Sequence, residues 1–277
     1  MRLVVAPKAT TKRTAIWAAS LVAALAACAP AERPSVSPIF MAADDGYLDR
    51  SVLGNLAQAT PEPPAPGSNQ DQADRAASAR FMALEDSDRW LMATAHAELR
   101  PPLALQHFDC ALGVRRGAAQ TPTLDRIAAK AFHDAQAAAV LARSAVDRPA
   151  PAADPQRRPC QTLGPGAAPR SASPSATAVA GTVYAETLAR IAPDRAEAVR
   201  RIGHEIGVSR LICAMAYPSD VAAGEALGRA VAAEIVNTPA FQAEVAAARA
   251  ELAAARATGR TNPGCAAERA ALATPLP

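Results

Sequence analysis

From Asn69 onward apolar residues return at the spacing of a helix, and no stretch alternates with β-branched and aromatic residues as a strand would. In NQDQADRAASARFMALEDSDRWLMATAHAEL, Ala73, Ala77, Phe81, Leu84, Trp90 and Leu91 fall near one face of a long helix. Pro101 and Pro102 end that helix, because the residue before a proline is driven out of helical geometry. Further helices are predicted over 103–114, from Pro122 with Thr121 as cap, and over 175–191, 194–207, 209–215, 220–236 and 239–255. Phe241, Val245, Ala248 and Leu252 make one packing stripe on the last of these. The fold class is therefore all-α. Residues 149–174 hold too many Pro and Gly for a regular element and read as a long loop, of a length that is usually functional or disordered.

The N-terminus carries a different signal. Arg2, Lys8, Lys12 and Arg13 precede an apolar run from Ala15 to Ala27, the layout of a secretory signal, and the run is too short for a permanent span. It ends in Leu25-Ala26-Ala27-Cys28, which resembles the lipobox of bacterial lipoproteins, and two or more acyl chains on Cys28 would give stable anchoring. A plain signal peptide with an incidental Cys28 is the alternative. On the lipoprotein reading the protein sits in the cell envelope, facing the periplasm, anchored in the outer membrane. The chain then divides into a signal at 1–27, a Pro/Ala-rich tether and wrapping segment at 28–68, a helical domain at 69–258 and a tail at 259–277.

Removing residues 1–27 takes away four basic and no acidic residues, so the formal +3 becomes 25 basic against 26 acidic. The basic balance belongs to the signal, and a nucleic-acid partner loses its electrostatic support. In an oxidising compartment Cys110, Cys160, Cys213 and Cys265 can form disulfides, with three pairings open. No cysteine or histidine pair has ligand spacing, so neither a metal nor another cofactor is expected.

Three short motifs carry the chemistry: Arg148-Pro149, Pro174-Ser175-Ala176-Thr177, and Ser209-Arg210 with Asp220 ten residues on. In order and spacing they resemble the signature of the bacterial class A non-specific acid phosphatases, in the superfamily of type 2 phosphatidic acid phosphatases and vanadium haloperoxidases. FDCALGV, TPTLDR, ARIAPDRAEAVRRIGHEIGVSRLIC and NTPAFQAEV extend the likeness across roughly residues 46 to 258. The resemblance implies a compact helical domain and a site in which a Lys and two Arg hold phosphate while a Ser and a Gly amide add donors. One His attacks phosphorus, another protonates the leaving oxygen, and an Asp orients the nucleophile. Such fixed donors suit phosphoryl transfer, which spreads negative charge over three oxygens.

Arg148, Ser175, Arg210 and Asp220 keep their family positions, and four others depart. The Lys is Leu141; Lys130, the only lysine after the signal, is about 16 Å away along a helix, and Arg143 is turned about 200° from position 141. A register shift of one helical turn would bring another side chain to that position. The Gly is Ala176, which keeps its amide. The acid His is Thr177 and the nucleophilic His is Ala216. A general acid contributes about 10² to 10⁴ in rate, and losing the nucleophile of a cooperative set removes most of what remains. The resemblance thus implies a pseudoenzyme that keeps at most a phosphate or phosphoester pocket of Arg148, Ser175 and Arg210. Two alternatives stand beside it: an active phosphomonoesterase with a non-family nucleophile, and a purely structural envelope lipoprotein.

None of the remaining nucleophile candidates fits well. His204 reads as a solvated surface residue, Cys213 as core or disulfide, and Tyr217 as a phenol too weakly acidic to attack a phosphate ester. His96, His107 and His133 fall outside the motifs and read as packing or surface residues. With no imidazole to orient, Asp220 reads as a helix N-terminal charge or as a salt-bridge partner of Arg210.

Overall fold

Every regular element among the described residues is helical, as the spacing of apolar residues requires. The computed structural model describes residues 45–143, 148–161 and 173–277. The elements are α1 (Arg50–Gln58), α2 (Asn69–Arg80), α3 (Asp88–Ala95), α4 (Asp109–Leu112), α5 (Pro122–Leu141), α6 (Ala176–Ile191), α7 (Ala196–Ile212), α8 (Pro218–Asn237), α9 (Pro239–Ala257) and α10 (Cys265–Ala273). The signal, Cys28 and the first part of the tether lie outside the described residues. Among those described, no helix is long and apolar enough to cross a membrane.

Helix α6 is the centre of the bundle and packs on α5, α7 and α8. Val179, Val183 and Tyr184 of α6 share one core with Ile202 and Ile206 of α7, Leu227 and Val231 of α8, and Phe241 of α9. Close approach of α6 to α7 depends on paired glycines. A Cβ added at Gly203 would lie 2.5 Å from the Ala185 Cβ and 2.8 Å from the Gly181 carbonyl oxygen. Overpacking of this kind costs roughly 1–3 kcal/mol. Gly203→Ala is therefore expected to lower folding stability by that much, read from denaturant unfolding, whereas Gly54→Ala in α1, which meets nothing within 4 Å, should leave it unchanged or raised.

Several local expectations are corrected. The long helix from Asn69 is two helices, α2 and α3, separated by a 3-10 turn over Phe81–Leu84 and a bend at Asp86. Helix α2 buries Asp71, Asp74 and Ser78, while Ala73 is exposed and Leu91 of α3 is 65% exposed. The polar face turns inward because two arginines lie beneath it: Arg148 meets Asp71 and Asp74, and Arg157 donates to the Ser78 hydroxyl and carbonyl. The expected helix over 103–114 is a 3-10 turn, Leu103–Phe108, followed by the short α4, which stops at Gly113 with φ 70°. The cap of α5 is not the Thr121 side chain. Glu251 of α9 accepts hydrogen bonds from the Thr123 and Leu124 amides, so the donors freed at the helix start are met by a carboxylate from a distant helix.

The flanks are structured as well. In the segment expected as tether, α1 forms and Tyr47 is pinned at both ends, its amide donating to Asp134 at 2.8 Å and its hydroxyl to Glu244 at 2.5 Å. The expected tail contains α10, held by the Cys110–Cys265 disulfide and by burial of Ala271. The second disulfide, Cys160–Cys213, ties the loop after Arg148 to the end of α7.

Candidate functional site

Helix α7 runs unbroken through Ser209 and Arg210, where two helices were expected, and ends in a Schellman motif. The Met215 amide donates to the Arg210 carbonyl and the Ala214 amide to the Leu211 carbonyl, with Ala214 at φ 55° in the position glycine usually takes. This turn delivers Ala216 and Tyr217 to the start of α8. The Tyr217 amide donates to the Asp220 carboxylate at 2.8 Å, closing the first turn of α8. The Ser175 amide in turn donates to the Asp220 carbonyl, which seats the start of α6 on α8. A Cβ at Gly224 would come within 2.6 Å of the Ser175 carbonyl, so only glycine permits that approach.

Arg148 is 2% exposed and lies among three carboxylates. Its Nη1 donates to Asp220 Oδ1 at 2.7 Å and to Ser219 Oγ at 2.9 Å; its Nη2 donates to Asp74 Oδ2 at 2.7 Å and to Asp71 Oδ1 at 3.1 Å. The Arg148 Cζ lies over the Tyr217 ring, 4.4 Å from its centre, a cation–π contact. Only Nε is buried without a partner. Asp220 thus serves the start of α8, one of its two expected roles, and its ion-pair partner is Arg148 and not Arg210. Burial pushes the Asp220 carboxyl up, against the Tyr217 amide and Arg148, which stabilise its charge. Burial also acts to raise Asp71, but hydrogen bonds from Arg75, the Gly67 amide and Arg148 outweigh it and hold the group at about 2.

Arg210 is the contrast. It is 9% exposed, and among the described residues its guanidinium has no hydrogen-bond or ion-pair partner. Burial alone brings it down to about 10, so it remains a cation at neutral pH. Its neighbour Ser209 is fully engaged, donating to the Glu205 carbonyl at 2.8 Å and lying 2.8 Å from His96 Nδ1. His96 is buried, with His107 edge-on at 5.0 Å and Arg89 nearby, and burial lowers its pKa to about 3. This Ser–His pair is structural: the hydroxyl proton goes to a backbone carbonyl, and Ser209 is 1% exposed.

The structure brings Arg148, Ser175, Tyr217 and Asp220 into direct contact and packs Ala216 with Ala150, Ala178, Leu211 and Ile212 in one apolar cluster. Ser175 caps α6, its hydroxyl accepting from the Ala178 amide at 3.4 Å; the amides of Ala176 and Thr177 form the first turn beyond it. Leu141 packs against the main core. Lys130 does not take its place, being committed to Glu244 and to the face of Tyr47. His204 is on the surface beside Glu225, which raises its pKa, and Cys213 is in a disulfide, both as expected. His96 departs from the simple packing role, since it bonds a motif residue. Asp71, Asp74 and Ser219 belong to the site and carry no motif; the one sequence hint is the three-residue spacing that puts both aspartates on one face of α2. Among the described residues no group of three or more His, Cys, Asp and Glu side chains is arranged to hold a metal ion.

No family profile matches the chain. It is similar to an acid phosphatase of Zymomonas mobilis, 28% identical over 200 residues that cover 72% of this chain and 76% of that protein. It is also similar to the non-specific acid phosphatase of Salmonella typhimurium, 30% identical over 195 residues that cover 69% of this chain and 78% of the relative. The chain belongs to the acid phosphatase family. The non-specific acid phosphatase of Providencia stuartii is 26% identical over 209 residues, covering 84% of its own length. At the position where the resemblance implies the nucleophilic histidine, Ala216 is 1% exposed and sits in an apolar cluster.

Proposed function

We propose that this chain is an acid phosphatase relative that has lost the histidine mechanism and binds phosphate or a phosphoester as a lipoprotein of the cell envelope. The observation that carries the reading is Arg210. A buried guanidinium without a counter-charge is costly, and an oxyanion is the partner whose geometry suits it. The first-turn amides of α6 and the Ser175 hydroxyl supply the neutral donors such an anion takes at a helix start. The absence of turnover follows from side chains: Ala216 has no lone pair to attack phosphorus, and Thr177 cannot deliver a proton near neutral pH. Ser209 and Tyr217 do not replace them. The first is locked to Glu205 and His96, and burial raises the phenol of the second.

Purified mature protein is expected to show no turnover of a chromogenic phosphomonoester from pH 4 to 8, a thermal shift with inorganic phosphate, and loss of that shift in Arg210→Met. Turnover that survives Thr177→Ala and Tyr217→Phe would overturn the reading in favour of a working phosphatase with another nucleophile. Lipidation is tested separately: Cys28→Ser is expected to release the protein from membranes, and unchanged membrane association would refute an anchor at that residue.

A further inference from the structure

Arg148 has every terminal N–H occupied by an internal acceptor, although its family position is one that holds phosphate. A guanidinium offers five donors, and here Nη1 and Nη2 are taken by Asp220, Ser219, Asp74 and Asp71, which leaves only the buried Nε. An incoming anion can make a two-pronged contact only by displacing a carboxylate. The two sides of the cage differ in what displacement would cost. Asp220 is fixed at the start of α8 by the Tyr217 amide. Asp71 keeps Arg75 Nε at 2.9 Å and the Gly67 amide at 3.1 Å, and Asp74 keeps the Ser219 hydroxyl and amide. Release of Nη2 therefore orphans neither aspartate. Helix α2 buries Asp71, Asp74 and Ser78 and no apolar side chain, so beyond this cage it is held by polar contacts, Arg157 on Ser78 and Arg75 on Tyr217.

We infer that Asp71 and Asp74 are a built-in anion competing with phosphate for Arg148, so that α2 is a displaceable plug that sets how tightly the site binds. The inference rests on the proposed reading of the site as a phosphate site. Binding then recruits Nη2 of Arg148 to the ligand while Nη1 stays with Asp220 and Ser219, and α2 loosens as the ligand enters. Tyr217, in cation–π contact with the guanidinium, keeps it in place through the exchange.

The test is titration of the full-length mature protein with inorganic phosphate, followed by calorimetry and by amide exchange. Asp74→Asn and, separately, Asp71→Asn keep shape but remove charge, and each is expected to bind phosphate about tenfold more tightly than wild type. The gain must disappear in Asp74→Asn/Arg148→Ala. In the wild type, which needs no variant to fold, phosphate is expected to speed amide exchange across α2. Phosphate binding that needs Arg210 but is unchanged in both Asn variants, with α2 exchange unchanged or slowed, would sink the inference and leave the proposed site intact. A gain that persists without Arg148 would sink it too, by making the effect one of long-range charge. Binding by Asp74→Asn but not by wild type would support the inference and overturn the reading of the wild type as a phosphate binder. No binding by any form would overturn both.

Discussion

Arg148→Ala is expected to cost about 3–5 kcal/mol of folding stability, the range for removing one partner of a buried ionic cluster. The loss comes less from the missing attraction than from the three carboxylates left behind, Asp71, Asp74 and Asp220, all buried and none facing water. Arg210→Met should do the reverse. Its guanidinium is desolvated and has no partner among the described residues, so an apolar side chain of similar volume is expected to be neutral or to stabilise the phosphate-free protein by about 1–3 kcal/mol. Urea unfolding in phosphate-free buffer measures both. Two arginines of one motif set should thus move the midpoint in opposite directions, and equal losses would show that Arg210 has an internal partner after all.

A second large effect concerns pH. His96 titrates near 6.5 when exposed in the unfolded chain, while burial, with His107 and Arg89 adding to it, holds the folded value at about 3. Between these values the unfolded state binds a proton that the folded state does not. Stability is therefore complete above pH 6.5 and falls by about 1.4 kcal/mol per pH unit below it, roughly 3 kcal/mol by pH 4.5, levelling off near pH 3. Of the groups facing the ring only the Glu205 carbonyl favours the protonated form, and it is outweighed, since Ser209 is neutral, His107 is itself lowered by burial, and Arg89 is a cation. Denaturant midpoints at pH 7, 6 and 5 should follow this slope, and His96→Asn should flatten it while lowering the plateau. A wild-type midpoint that does not change over that range would mean the ring is protonated in the fold.

The helical class, and the meeting of Arg148 and Ser175 at Asp220, were legible because they depend on spacing along the chain. Apolar period fixes a helix, and motif intervals fix a register. What was not legible depends on pairing across the chain. Asp71 and Asp74 look like the solvated face of α2, and only an arginine 77 and 74 positions away in sequence, brought beside them by folding, turns that face inward. The same holds for Glu251, which caps α5 from α9, where local preference pointed to Thr121. His96 gave no signal at all, since a lone histidine beside an alanine-rich helix has no period and no partner until Ser209 arrives from α7. Helix α10 was missed for another reason: CAAERAALA is short, follows Pro and Gly, and buries only Ala271, so its place is decided by a covalent bond and not by an apolar face.

That covalent bond and its companion set a condition on where the protein can acquire its full strength. Cys110–Cys265 and Cys160–Cys213 close segments of 155 and 53 positions, which by loop-closure entropy correspond to about 5 and about 4 kcal/mol against an unfolded chain. These are each comparable to the net stability of an ordinary domain. The second bond fastens the loop that follows Arg148 to the turn that presents Ala216, so the two halves of the site gain their covalent tie only after the thiols have met an oxidant. Maturation of the site is in this sense a redox event, and a chain kept reduced would carry the same residues without the frame that holds them in register.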